Sequence, residues 1–196
     1  MKLNAQELRE LEIKRAQGVV RQVKRHPIYF ILENIYDTYN IGGLFRLADA
    51  IAAEKIFLCG EMEIPPNSRI KKASIGTYKI VDWTYKKSVK EAILSLRASA
   101  KQSHEIASSS HHSVTPRNDI KIIAVEQHPN STDYRKTDYR LPLALVFGNE
   151  SYGVTPETLK LVDQIVEIPM FGINKSLNVI VSAAIVSYWV LNSLTR

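Results

Sequence analysis

The sequence predicts an α/β fold built on a mainly parallel sheet, and two observations carry that prediction. Segments of strand character alternate with segments of helical composition along most of the 196 residues. Several of the strand segments are also continuous apolar runs, as expected where helices cover both faces of a sheet. The length suits one ordinary domain with or without a short appendage. With 45% hydrophobic and 23% charged residues, the balance is that of a folded chain and not of a disordered or low-complexity one.

Taken in order, residues 4–24 read as a helix, with Leu8, Leu11, Ile13, Val19 and Val20 forming an apolar stripe among charges, stopped by His26-Pro27. Ile28–Leu32 reads as a buried strand. Asn40–Ala53 is helical in composition, with Asn40 at the cap and two glycines in the first turn. Lys55–Cys59 and Lys79–Trp83 are the next strands, and Val89–Ala100 is an amphipathic helix. Ser103–Asn118 holds five serines and three histidines and reads as a surface insertion. No carboxylate or cysteine stands at ligand spacing to His104, His111 and His112, so no metal is expected there. Ile120–Val125 and Leu143–Phe147 are short apolar strands, and Thr155-Pro156-Glu157 opens a helix with proline at its first position. Gln164–Ile168 is the last strand, and Ser176–Leu194 is a last, strongly apolar helix capped by Ser176. No internal repeat is visible.

Charge is distributed unevenly. Residues 1–27 carry seven cations against three carboxylates, and residues 67–90 carry seven against one, although the whole chain is only +6. Two basic patches on a mildly acidic body suit a polyanion, because phosphate binding releases counterions; a solvated surface is the plainer alternative. Arg21, Lys24 and Arg25 in the first patch and Arg69, Lys71 and Lys72 in the second are the candidate contacts to such a polyanion. The single cysteine, Cys59, forms no internal disulfide and makes no cysteine zinc site, which points to a reducing, cytoplasmic setting. Residues 1–27 contain no apolar core of an export signal, and the apolar run Leu177–Leu191 is shorter than the roughly 20 residues a bilayer requires. No membrane partner is expected.

Familiar nucleotide signatures are missing: there is no G-x-x-x-x-G-K-[ST] loop, no G-x-G-x-x-G turn and no G-x-S-x-G elbow. Three other clusters stand at the ends of predicted strands or just beyond them, where open α/β sheets bind ligands. In Asn40-Ile-Gly-Gly-Leu-Phe-Arg46, an Asn cap and two glycines offer backbone N–H groups to an anion. Arg46, six residues on and just under two turns, falls near the face of Asn40. In Leu145-Val-Phe-Gly-Asn-Glu-Ser-Tyr-Gly153, Gly148 permits close backbone approach and Glu150 is a carboxylate at a strand end. In Ile168-Pro-Met-Phe-Gly-Ile-Asn-Lys-Ser-Leu-Asn-Val179, Ser176 and Asn178 are polar groups on an apolar segment, and burying either without a partner costs about 1–3 kcal/mol. Each cluster alone also fits an ordinary cap, turn or loop.

Together, in this order, they resemble the N-x-G-x-x-x-R, G-N-E-x-x-G and I-P-M-x-G-x-x-x-S-L-N-V motifs of the SpoU/TrmH family of RNA ribose 2′-O-methyltransferases in the SPOUT superfamily. Lys72-Ala-Ser-Ile-Gly76 is similar to the K-A-S-x-G stretch between the first two motifs. The likeness covers roughly residues 28–102 and 120–194. Asp37-Thr-Tyr-Asn40 replaces the common D-P-x-N, Ser151 stands where glycine is frequent, and Ile180 where serine often is.

The resemblance implies an α/β fold with a deep C-terminal trefoil knot, an exception to the rule that chains do not thread loops. It divides the chain into a basic helical extension, 1–27, and a SPOUT methyltransferase domain, 28–196. It implies S-adenosyl-L-methionine as cofactor, held by Val125, Glu126, Phe147, Gly148, Asn149, Ile168, Met170, Ser176 and Leu177. It also implies a homodimer through the last helix, with the active site near that interface. Arg46, Asn40, Glu150, Ser176 and Asn178 become the catalytic set, with Arg46 gripping the target phosphate and stabilising a developing alkoxide or, as the alternative, acting as the general base. The substrate implied is RNA, with tRNA favoured over rRNA because the short extension leaves no room for a separate RNA-binding domain. The rival readings are rRNA methylation, a base methyltransferase of the same superfamily, a non-catalytic RNA-binding protein of that fold, and a flavodoxin-like nucleotide binder.

Overall fold

The structure is a computed structural model that describes residues 4, 6–7, 23–108 and 120–194. Seven strands form one sheet: β1 (His26–Glu33), β2 (Ala53–Cys59), β3 (Asp82–Lys86), β4 (Lys121–Val125), β5 (Thr132–Asp133), β6 (Leu143–Phe147) and β7 (Gln164–Glu167). Their order is β3-β2-β1-β6-β4-β7-β5, and every neighbouring pair is parallel. The helices are α1 (Thr38–Ala50), α2 (Ser68–Ser74), α3 (Val89–Ser108), α4 (Pro156–Leu159) and α5 (Val179–Leu194).

The apolar strands are buried on both sides, as their continuous runs required. Ile28, Phe30 and Leu32 of β1, with Leu143, Leu145 and Phe147 of β6, pack against α1 and the buried face of α5. Ile31, Ala144 and Val146 point the other way, toward Val89, Ile93 and Leu96 of α3. Successive residues of one strand thus serve two cores. The chain runs from β1 to β2 on one side and enters β6 on the other. This is a topological switch point, and the crevice beyond the carboxyl ends of β1 and β6 is where such sheets bind ligands.

Most elements lie within a few residues of their predicted places, and the displacements have local causes. Helix α1 starts at Thr38, not at Asn40, because Asp37 is the cap: its carboxylate accepts from the Tyr39 N–H at 2.8 Å. Strand β3 begins at Asp82 because Gly76, at φ 89°, turns the chain into a 3-10 turn over Thr77–Lys79. Helix α2 has no counterpart in the sequence reading, although Asn67 caps it by accepting from the N–H groups of Arg69 and Ile70. Helix α3 runs eight residues past Ala100, so the start of the Ser/His-rich segment is helical. Residues 109–119, including His111 and His112, lie outside the described residues. Most of the predicted helix 4–24, Arg21 among it, is likewise outside them; at its start, Asn4 and Glu7 exchange side chain to N–H hydrogen bonds. Among the described residues no helix is long and apolar enough to cross a membrane.

Candidate active site

Three strands end around one cavity of about 610 Å³. Val125 and Glu126 close β4, Phe147 and Gly148 close β6, Glu167 and Ile168 close β7, and the segment up to Val179 forms the remaining wall. All nine residues assigned to the cofactor in the sequence reading line it: Val125, Glu126, Phe147, Gly148, Asn149, Ile168, Met170, Ser176 and Leu177. Glu150 and Asn178 line it as well.

The turn after β6 is shaped by hydrogen bonds. Asn149 and Gly153 exchange backbone bonds at 3.0 and 2.9 Å, and the Asn149 side chain accepts from the N–H groups of Ser151 and Tyr152. Its amide also donates to the Asn34 carbonyl at 2.7 Å, which ties the turn to the end of β1. A Cβ at Gly148 would overlap the Gly153 carbonyl group and the Val154 nitrogen, so this close approach of two backbones needs glycine. The Glu126 carboxylate accepts from the N–H groups of Val154 and Gln127 at 2.8 and 2.9 Å. The Gln127 amide donates to the Lys175 carbonyl at 2.6 Å, pinning the last loop across the cavity.

A second layer joins all three motifs. The Asn40 amide donates to Glu150 Oε1 at 2.9 Å, and the Asn178 amide donates to Asn40 Oδ1 at 3.0 Å. Glu150 also accepts the N–H groups of Tyr36 and Asp37, each at 3.2 Å. Asn178 accepts from the Ile180 N–H at 2.8 Å and so caps α5. Ser176 therefore is not the cap; it is exposed on the cavity wall, and its N–H donates to Asn174.

The first motif departs further from expectation. Asn40 is only 5% exposed, whereas Arg46 is exposed and absent from the cavity wall. Six residues advance a helix by about 600°, roughly 120° short of two full turns, so the two side chains point in different directions. Gly42 lies inside the helix and meets Ala73 of α2, so it serves helix packing and not an anion. In the basic patches, Lys24, Arg69, Lys71 and Lys72 are exposed. Arg25 is not available to a phosphate: its guanidinium donates to the carbonyls of Ala53 and Ile80, beside Asp49.

Two residues of the site escaped the sequence reading. Asn34 stands at φ 52° just after β1, and an asparagine in the left-handed region at a strand end is a visible signal. Gln127 carries no such signal, because its partner Lys175 is 48 positions away in the chain.

A parallel α/β sheet with a three-motif site at the carboxyl ends of its strands defines the class, and the comparisons make it specific. The SpoU rRNA Methylase family model matches residues 27–188, and the chain belongs to that family. A tRNA (guanosine(18)-2′-O)-methyltransferase of Escherichia coli (strain K12) is 27% identical over 169 residues, 84% of this chain and 63% of that protein. The protein of the same name from Thermus thermophilus is 27% identical over 180 residues, 91% of this chain and 81% of its own length. The chain thus spans less than two thirds of the E. coli relative. A SpoU methyltransferase from Streptomyces viridochromogenes, solved in complex with AdoMet, shares the fold with a TM-score of 0.72 at 21% identity, covering 89% of this chain and 60% of that one.

Proposed function

We propose that the chain is an S-adenosylmethionine-dependent RNA ribose 2′-O-methyltransferase acting on tRNA. One observation carries the reading: the cavity that gathers nine residues from β4, β6 and the last loop shares Glu150 and Asn178 with a hydrogen-bonded network that reaches α1, the helix of Arg46. The names of the E. coli and Thermus relatives support tRNA.

The cavity fits the cofactor. Its volume is in the range of small-molecule sites, its apolar wall of Val125, Phe147, Ile168, Met170 and Leu177 suits an adenine ring, and the glycine-lined turn lets backbone groups approach. When bound, S-adenosylmethionine supplies an electrophilic methyl group. The residues of the chain supply position and charge. A ribose hydroxyl is a weak nucleophile, and holding it in line is able to contribute roughly 7–11 kcal/mol of rate acceleration. Because a guanidinium is a poor base, Arg46 grips the target phosphate and stabilises the developing alkoxide; proton loss is assisted by the phosphate or water. Asn40, Glu150, Ser176 and Asn178 orient the nucleotide, with Asn40 and Glu150 also fixing α1.

Several further features belong to this reading. Residues 28–196 form the SPOUT domain and 1–27 a basic extension. The chain after β7 threads the loop beside it as a trefoil knot; the Gln127–Lys175 bond, which joins the β4 end to that last loop, supports this path. Helix α5 pairs with a second copy, supported by the exposed Val181 and Tyr188, opposite the buried Ala183, Val186 and Val190. Arg46, standing outside the cavity of its own chain, acts on RNA held near that interface. The setting is cytoplasmic.

The test is to incubate the protein with labelled S-adenosylmethionine and unmodified tRNA or rRNA, then to map the methyl group by nuclease digestion. A 2′-O-methylnucleotide in tRNA is the expected product. Label on a base, label in rRNA alone, or no transfer would each replace this reading with one of its rivals.

A further inference from the structure

Arg46 shares its helix face not with Asn40 but with Tyr39. Seven residues advance α1 by about 700°, only about 20° short of two turns, which places the two side chains in line, roughly 10 Å apart along the axis. Both are exposed, Tyr39 by 54%. The first turn that carries Tyr39 is held firmly: Asp37 accepts from the Tyr39 N–H, and the next residue, Asn40, is bonded to both Glu150 and Asn178. Gly43, between Tyr39 and Arg46, meets Ile180 at the start of α5, so this stripe runs beside the third motif.

The surroundings are cationic. Helix α2 packs against α1 where Gly42 meets Ala73, and it displays Arg69, Lys71 and Lys72. The side chains of these three residues and of Arg46 make no hydrogen bond or ion pair among the described residues. An exposed aromatic ring on a rigid turn, in line with a guanidinium and beside three free cations, has the composition of a single-stranded RNA platform: cations track the backbone and a ring stacks on a base. A tyrosine serves well, because few rotamers are lost on contact.

We propose that Tyr39 stacks on the base of the nucleotide whose ribose Arg46 addresses, a contact open only to an unpaired base. The proposal rests on the methyltransferase reading and adds to it a base-stacking residue. Tyr36 provides an internal control. It is as exposed, at 55%, but precedes the cap and so lies outside the helix that carries Arg46.

The experiment compares wild type, Tyr39→Ala, Tyr39→Phe and Tyr36→Ala as full chains. Affinity is measured by anisotropy for unmodified tRNA transcripts and for a fully paired RNA duplex. We expect Tyr39→Ala to lose about tenfold or more in tRNA affinity, Tyr39→Phe to restore it, and Tyr36→Ala and duplex binding to change less than about twofold. Quenching of a Tyr39→Trp variant by tRNA, beyond that of wild type, would add support. Equal losses for duplex and tRNA, equal effects of both tyrosines, or a Tyr39→Ala variant that changes only its sedimentation would overturn the proposal, the last by assigning the ring to a contact between copies. These readouts need no methyl transfer. A wild-type protein that methylates tRNA while Tyr39→Ala binds it normally removes the stacking role alone, whereas absence of transfer by wild type removes the reading beneath it.

Discussion

The cavity at the carboxyl ends of β4, β6 and β7 and the exposed face of α1 and α2 lie on either side of Asn40, and they treat their polar groups in opposite ways. Around the cavity, the side chains of Asn149, Glu126, Gln127, Glu150 and Asn178 are bonded within the chain. Asn149 alone connects Asn34, Ser151 and Tyr152, and Glu126 joins the end of β4 to Val154. On the helix face, Arg46, Arg69, Lys71 and Lys72 are left to solvent. The contrast follows from the ligands each region suits. A small molecule bound at strand ends benefits from preorganised backbone, which reduces the ordering cost of binding. A polyanion is attracted by free cations, whose contribution comes from displaced counterions and does not require fixed geometry.

The sharpest way to break this comparison is at Arg46. If the exposed face serves RNA and the reaction while the cavity serves the cofactor, Arg46→Ala should lower methyl transfer by roughly 100- to 1,000-fold and leave S-adenosylmethionine affinity within about twofold. Arg46→Lys should recover little, since it keeps the charge but loses the planar fork. Single-turnover transfer and calorimetry separate the two effects. A parallel loss of cofactor affinity would place Arg46 with the cavity.

Gly148 probes the other region. Alanine there meets backbone on the opposite side of the turn, which cannot rotate away as a side chain would. We expect a cost of about 1–3 kcal/mol, seen as a fall of about 2–4 °C in Tm per kcal/mol, together with a marked loss of S-adenosylmethionine binding. RNA affinity measured without cofactor should change little, the reverse of the pattern at the α1 face.

How far the sequence revealed these regions depends on the range of the interactions involved. Leu143–Phe147 is a strand in both sequence and structure, because a five-residue apolar run between turns has few alternatives in a sheet covered on both faces. Thr155-Pro156 opens α4 as read, since a cap and a first-turn proline act locally. Asn40 shows the limit. Its residue type and neighbours suited a cap, but Asp37 takes that role and tertiary partners 110 and 138 positions away claim the amide. Arg25 reads as a surface cation in a basic run, and only the folded sheet brings the carbonyls of Ala53 and Ile80 to it.

Asn40 is also where the two regions meet, so its removal should affect both. Asn40→Ala leaves the Asn178 amide and Glu150 without their shared partner. We expect about 1–2 kcal/mol of destabilisation by urea unfolding, and a double-mutant cycle with Glu150→Ala should return a coupling of about 0.5 kcal/mol or more. Additive effects would show that the hydrogen bond does not couple the clusters.

The smallest effect belongs to Cys59, whose side chain takes part in neither region. It is buried at the end of β2, and burial pushes its thiol up from 9.0 to about 12, with the carboxylates of Glu33 and Glu91 acting in the same direction. At neutral pH no thiolate forms, so the group is neither nucleophile nor metal ligand in the folded chain. Iodoacetamide at pH 8 should label it only after unfolding, as mass spectrometry would show. The folded chain keeps a proton that the unfolded chain releases above pH 9.0, so the thiol's contribution to stability declines as pH rises past that value. Cys59→Ala should remove that decline, cost about 1 kcal/mol at neutral pH, and leave methyl transfer unchanged. Rapid labelling of the folded protein, or a loss of transfer in the alanine variant, would instead connect this core position to the site above it.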